Sequence, residues 1–224
     1  MKKILVLAPH ADDEVLGCGG TINKISSSGS DVFTIILTNA YIGAPEIFSK
    51  NLVSRIRKEA ISANKILKVK KLFFEDFPAP SLDQFPLYKI ADKISEYINR
   101  IKPDTVFIPS EKDSHIDHKI IYSAAMVALR PTQNHIVNNV LAYETLSETH
   151  WGDQTNNLFS PNYFEKLTKR NIKIKNQSFS KYKSQKKKFP HPRSKNGIET
   201  LSNFRGMQIG TEYAEAFEVK RYTN

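Results

Sequence analysis

The sequence predicts an α/β protein, a Rossmann-like three-layer sandwich with a mainly parallel sheet and a C-terminal helix/strand appendage. Three observations predict it. Short apolar runs alternate with amphipathic stretches over the first 145 residues. The runs are β-branched and nearly continuous, the pattern of strands buried on both faces. The connections between them are short, as in strand–helix units wound into a parallel sheet.

Residues 4–7 (Ile-Leu-Val-Leu) read as the first strand. A helix over 14–28 carries Val15, Leu16, Ile22 and Ile25, and a Ser-Ser-Ser-Gly run stops it. Residues 32–37 form a β-branched strand. A helix from about 46 to 67 places Ile56, Ala60, Ala63 and Leu67 on one face, and a third strand follows at 72–74. The helix over 87–101 has Ile90, Ile94, Tyr97, Ile98 and Ile101 at helical spacing, and Pro103 closes it. A strand at 105–108, a helix over 118–129 and a strand at 140–143 complete the alternating part. Beyond it, a helix over 198–207 and a strand at 214–219 are expected. The length suits a single domain over 1–224, with an α/β body at 1–145 and a basic lobe at 146–224.

Composition excludes several classes. The chain has 224 residues, with 33 Lys+Arg against 23 Asp+Glu and a net charge of +10. Residues 166–195 hold twelve basic residues and no acid, so the rest of the chain sums to −2. One cysteine, Cys18, rules out a disulfide scaffold or a Cys-rich zinc module, and reads as a small buried side chain. No apolar run reaches the roughly 18–20 residues of a membrane span. The N-terminal apolar run is too short for a signal segment, so the expected compartment is the cytoplasm.

Two acidic–histidine clusters follow predicted strands, at the strand ends where open α/β sheets bind ligands. The first is Pro9-His10-Ala11-Asp12-Asp13-Glu14. His10 and Asp13 lie three residues apart across a strand-to-helix turn and can face one centre. Imidazole plus carboxylate without thiol suits a divalent ion such as zinc. Asp12 can then take a proton from a water acidified by such an ion. The competing reading is that the acids cap the helix and complement its dipole, but a cap needs no histidine before it. The second cluster is Asp113-Ser114-His115-Ile116-Asp117-His118. It can supply a third ligand, with His118 the natural candidate. His115 can face substrate as general acid or oxyanion partner, and Asp117 or Asp113 can orient the imidazoles. His135 and His150 lack partners nearby and read as structural or exposed; His191, in Pro190-His191-Pro192-Arg193-Ser194, is open to either reading. Gly17-Cys18-Gly19-Gly20 lacks the spacing of a phosphate loop, and its small residues let a helix pack close to the sheet.

With these motifs the sequence resembles the PIG-L/LmbE-like N-acetylglucosamine deacetylase family. The carrying residues are 9–14 with Gly17-Cys18-Gly19-Gly20-Thr21, then 113–118. Later echoes are 143–147, 182–185, His191-Pro192-Arg193-Ser194, Arg205-Gly206 and 213–217. The resemblance implies a zinc-dependent hydrolase that removes acetyl from a sugar amine. It implies His10, Asp13 and His118 as zinc ligands, with Fe2+ or Co2+ as other divalent ions, Asp12 as general base, and His115 as acid or oxyanion partner. It implies a substrate-binding arginine in the second helix, either Arg55 or Arg57. The usual proline after the first histidine is replaced by Ala11.

Two further functions compete: a zinc amidase acting on another N-acyl or thiol-conjugate substrate, and a polyanion-binding protein using the 166–195 segment. The second leaves both His/Asp clusters unexplained, so no nucleic acid partner is expected. The basic segment reads either as a solvated helix face or as a steering surface for an anionic, nucleotide- or lipid-linked amino sugar, with peripheral membrane contact and homo-oligomers left open.

Overall fold

The computed structural model describes residues 1–132, 134–152, 155 and 158–223. Five strands run parallel: β1 (Lys3–Ala8), β2 (Asp31–Asn39), β3 (Lys71–Pro78), β4 (Thr105–Pro109) and β5 (Asn139–Tyr143). Two more, β6 (Tyr163–Leu167) and β7 (Tyr213–Arg221), join the same sheet: β7 pairs antiparallel with β5, and β6 pairs antiparallel with β7, giving the order β3-β2-β1-β4-β5-β7-β6. The C-terminal third, expected as a lobe of helix and strand, thus extends the sheet itself.

The helices are α1 (Asp13–Ser27), a short α2 (Ala40–Gly43), α3 (Lys50–Ile66), α4 (Leu87–Ile101), α5 (Ile116–Ala128), α6 (Lys169–Phe179) and α7 (Lys195–Met207). Alternation along β1 builds both cores. Leu5 and Leu7 face α4 and α5, against Ile94, Ile98, Ile121 and Ala125. Ile4, Val6 and Ala8 face α1 and α3, against Val15, Leu16, Ala60 and Ala63. Such two-sided burial explains why these strands carry no polar alternation. α3 begins at Lys50 rather than near 46, because the Ser49 hydroxyl caps it by accepting from Leu52 N.

β6 and α6 are absent from the sequence reading. β6 is a half-exposed edge strand, and α6 buries Asn171, Ile172, Lys175, Ser178 and Phe179 at helical spacing. Three of those five are polar, which hides the stripe. Gly17 and Gly20 let α1 approach the sheet: a Cβ on either would collide with the Tyr143 ring or with Leu167 and Glu215. Cys18 is fully buried. Among the described residues no helix is long and apolar enough to cross a membrane.

The chain lays down β1, β2 and β3 outward on one side, then returns to place β4 on the other side of β1. The carboxyl ends of β1 and β4 therefore flank a topological switch point, where loops diverge and leave a crevice. Both His/Asp clusters leave the sheet there.

Candidate metal and active site

The turn after β1 puts Asp12 at φ 120°, a left-handed value that costs a non-glycine residue energy. Its side chain makes no helix cap. Asp13 Oδ2 instead accepts from His10 N at 2.8 Å, and Glu14 Oε2 accepts from Asp12 N at 3.1 Å. Asp12 is thus withdrawn from capping and turned to the crevice, while Glu14 is held in the interior.

Asp13, His10 and His118 converge. His118 Nε2 lies 3.1 Å from Asp13 Oδ2 and 3.2 Å from His10 Nδ1, and His10 Nδ1 lies 3.4 Å from Asp13 Oδ2. Donors around a tetrahedral zinc at about 2.0–2.1 Å would be roughly 3.3 Å apart. Proton positions give the same answer. His118 Nδ1 is 2.6 Å from Asp113 Oδ2, and His10 Nε2 is 3.0 Å from Asp117 Oδ2. Those nitrogens carry the hydrogens, since carboxylates only accept. In the neutral imidazoles the other nitrogens then aim lone pairs at Asp13, whose buried Oδ1 has no hydrogen-bond partner. Three electron-rich atoms so arranged call for a cation, and these residues fit a divalent one.

Without an ion, protons take its place. Burial would lower His118, but Asp13 and Asp113 raise its pKa well above the ordinary value; His10 is raised by Asp117 and Asp13 against the same burial effect. Burial would raise Asp13, but the two imidazoles hold it well below the carboxylate range. Asp113 is itself anchored by the Thr149 hydroxyl at 2.5 Å, and Asp117 accepts from Leu82 N at 3.3 Å. The expectation that either aspartate could orient an imidazole resolves into one for each.

Asp12 is 1% exposed, and burial pushes it up to about 7 despite the Arg193 guanidinium. Its Oδ2 makes no hydrogen bond and sits 3.5 Å from Arg193 Nη1. Arg193 is held by Ser147 Oγ at 2.8 Å, Gln185 Oε1 at 3.1 Å and Glu148 Oε1 at 3.2 Å. His115 caps α5, its Nδ1 accepting from Asp117 N at 3.2 Å, so its proton resides on Nε2. Burial, then the positive His10 and His118, lower it to about 4. It is therefore a neutral donor in this structure rather than an imidazolium.

Asp12, His10 and His115 open onto a cleft of about 400 Å³. One wall is apolar, with Ile36, Phe48, Val53, Ile56 and Pro80; the other carries Gln185, Lys187, His191 and Arg193. Arg57 lines the cleft, its Nη2 donating to Asp76 Oδ1 at 2.5 Å and to Glu75 O at 2.8 Å. Arg55 does not line it: Val53, Ile56, Arg57 and Ala60 occupy the inward side of α3, and Arg55 falls between them, exposed. His191 is at the mouth, edge-on to Trp151 at 5.4 Å. His135 and His150, read as unpartnered, each find one: Pro103 O at 2.7 Å and Glu144 Oε2 at 3.0 Å.

Sequence reasoning passed over three residues around Glu14 and Asp12. The Glu14 carboxylate is fully buried and pushed by burial up to about 7. Its Oε1 accepts from Tyr182 OH at 2.5 Å and Asn64 Nδ2 at 2.9 Å. Tyr182, Asn64 and Arg193 come from distant segments, and only the local motifs around Tyr182 and Arg193 hinted at them. A buried ion pair supports the same turn from behind. Cys18 breaks the helical path of α1 at φ −139°. Lys175 Nζ donates to Leu16 O at 2.8 Å on one side of the break, and Glu215 accepts from Gly20 N and Thr21 N on the other. Lys175 and Glu215 meet at 2.6 Å.

Comparison with known proteins fits this geometry. Residues 5–129 match the model of the PIG-L family, described as GlcNAc-PI de-N-acetylase. The chain belongs to the PIG-L family. It is 32% identical over 124 residues to diacetylchitobiose deacetylase of Thermococcus kodakarensis, covering 53% of this chain and 46% of that enzyme, so the match spans about half the relative's length. It is 28% identical over 178 residues to a probable N-acetyl-alpha-D-glucosaminyl L-malate deacetylase 2 of Bacillus cereus, covering 75% of this chain and 80% of that protein. Among solved structures, the conserved protein TT1542 from Thermus thermophilus superposes with a TM-score of 0.79 at 25% identity, covering 100% of this chain and 97% of that one. The PIG-L model ends just after α5, so it contains both His/Asp clusters but not Tyr182 or Arg193.

Proposed function

We propose that this PIG-L family chain is a zinc-dependent N-deacetylase that removes the acetyl group from an N-acetylglucosamine-type amino sugar conjugate, giving acetate and a free amine. The observation that carries the reading is the triangle of His10, Asp13 and His118 donors beside the Asp12 carboxylate, which faces Arg193 and makes no hydrogen bond through Oδ2, at the head of a cleft. The donor set would also accept Fe2+ or Co2+. A divalent ion held by those three residues would polarise the acetyl carbonyl and acidify water.

The remaining steps belong to the chain. Asp12, poised near neutrality by burial, takes a proton from the attacking water. Arg193 keeps that carboxylate aimed and limits how far its pKa rises. His115 donates through Nε2–H to the oxygen that gains charge in the tetrahedral intermediate. Asp12 then returns its proton to the departing nitrogen, because an amide anion leaves too poorly. Arg57, Lys187 and His191 lie where a sugar conjugate would sit, and the cationic wall favours an anionic one. The whole of residues 1–224 acts as one unit, since 185–193 complete a cleft whose metal-binding residues lie between 10 and 118.

The apolar wall of Ile36, Phe48, Val53 and Ile56 favours a second reading, an amidase for a conjugate with a bulkier acyl or apolar group. An acetate-release screen with zinc-loaded protein separates them. N-acetylglucosamine conjugates turning over at least tenfold faster than N-acyl amino acids and thiol conjugates supports the first; the reverse order selects the second.

A further inference from the structure

Four large apolar side chains stand exposed on the three segments that line the outer part of the cleft. Ile42 and Ile47 are 51% and 67% exposed on the segment that also supplies Ala40 and Phe48 to the wall. Trp151 is 59% exposed, against His191. Phe189 is 64% exposed, in the loop that supplies Gln185, Lys187, His191 and Arg193. That loop also carries Lys181, Lys183, Lys186, Lys187 and Lys188, all exposed, none paired with a carboxylate among the described residues. Among the described residues the nearby acids cancel them only in part: Asp76 is held by Arg57 and Glu148 by Arg193, Glu59 accepts from Ser184 Oγ of the loop at 2.8 Å, and Glu46 is exposed beside Ile47.

The sequence left open whether the basic segment is merely solvated. Helix α6 presents Lys169, Arg170 and Lys173 to solvent as a solvated face would. The 181–193 loop differs, because its lysines surround an exposed phenylalanine and the loop forms one lip of the cleft. Protein-binding patches are contiguous and apolar at their centre; here single apolar residues ring an opening, set among lysines. Polynucleotide surfaces use aromatics for stacking, and Ile42 and Ile47 cannot stack. Aromatic and aliphatic side chains that insert at the headgroup level, beside lysines that meet anionic headgroups, are the pattern of a bilayer-docking rim.

We propose that the mouth of the cleft docks onto an anionic lipid bilayer, with Phe189, Trp151, Ile42 and Ile47 entering the interface and the 181–188 lysines facing its phosphates. The cleft then opens toward the membrane plane. Resting on the deacetylase reading, its substrate would be an amino sugar presented at that surface. The docking itself stands without that reading.

Cosedimentation of the purified full-length protein tests it, with vesicles of phosphatidylcholine alone or with about a third phosphatidylglycerol. Each lysine near such a surface contributes roughly fivefold to partitioning. Binding to the anionic vesicles is expected to exceed that to phosphatidylcholine by at least about tenfold, and to fall by about twenty-five-fold or more in K186E/K188E. F189S should weaken it by about tenfold through lost apolar burial. Turnover of a water-soluble N-acetylated sugar by these variants should stay at the wild-type value, so docking and catalysis fail separately. Equal binding to both vesicle types, no binding, wild-type binding by the variants, or tighter binding to a single-stranded oligonucleotide than to anionic vesicles would each overturn the proposal. So would a parallel loss of soluble turnover, which would place these side chains in the cleft.

Discussion

Glu14 is the residue whose replacement separates the geometry of the turn from the identity of the metal ligands. Its carboxylate takes three hydrogen bonds, from Tyr182 OH, Asn64 Nδ2 and Asp12 N. The last of these holds Asp12 at φ 120°. In Glu14→Gln the carbonyl oxygen can still serve Tyr182 and Asn64, but the amide then faces the Asp12 N–H, donor against donor. One bond to a buried charged group is lost, about 1.5–3 kcal/mol, out of a typical total stability of about 5–15 kcal/mol. Asp12, no longer held, relaxes toward an ordinary backbone region, and a displacement of about 1 Å can cost on the order of a hundredfold in rate. At pH about 8, where Glu14 is mostly ionised given its raised pKa near 7, the variant should lose about 2 kcal/mol in urea unfolding. Its kcat should fall by roughly a hundredfold, with metal content at the wild-type stoichiometry. Tyr182→Phe leaves the Asp12 bond intact and should lower stability by a similar amount with less than about a tenfold change in kcat. A Glu14→Gln enzyme with reduced stability and wild-type kcat would refute the positioning argument. So would one that loses metal in step with activity, because the damage would then lie at Asp13.

Three other outcomes follow from the same interactions. Asp113→Asn should weaken metal affinity by about 10–100-fold, read by competition with a chromogenic chelator, while kcat at saturating metal changes little. The metal-free protein should lose stability as pH rises. Asp12 and Glu14 have folded pKa values raised to about 7, so their protonated forms favour the fold from below pH 4 and that contribution is lost through pH 7. His10 and His118, also raised, extend the loss to higher pH. Its Tm should therefore be lower at pH about 8 than at about 5.5, and added zinc should reverse the trend by displacing those protons; a Tm that rises with pH in chelator would contradict this. Lys175→Met should cost about 3–5 kcal/mol, because it strands the buried Glu215 charge and the Leu16 carbonyl at the break in α1, and an unchanged urea midpoint would show that the pair does not support the turn.

The parallel half of the fold is legible in sequence because its strands are buried on both faces, so Ile4-Leu5-Val6-Leu7 needs no long-range information to read as a strand. β6 and α6 are not, because one lies at a half-exposed edge and the other buries an asparagine, a lysine and a serine whose partners are Asn23, Glu215 and Ala63 O. The cluster around His10 and His118 is legible for a similar reason: its members fall into two short motifs, 10–13 and 113–118, that leave adjacent strands of one sheet. Arg193, Tyr182 and Asn64 reach the same turn only through the tertiary fold. What marks them as partners of Asp12 and Glu14 is burial and hydrogen-bond satisfaction, which no spacing encodes. Which of Arg55 and Arg57 faces the cleft turns on the rotation of α3, which is fixed only once the apolar face of that helix is packed.

The most direct test is acetate release from a soluble N-acetylglucosamine conjugate by zinc-loaded wild-type protein and by Asp12→Ala, with zinc content measured on the same samples. The site described here predicts steady acetate release by the wild type, a loss of at least about a hundredfold in Asp12→Ala, and equal zinc in both. Near-full release by the variant would contradict the assignment of the base. No release by the zinc-loaded wild type from this or any other N-acetylglucosamine conjugate would contradict the proposed reaction.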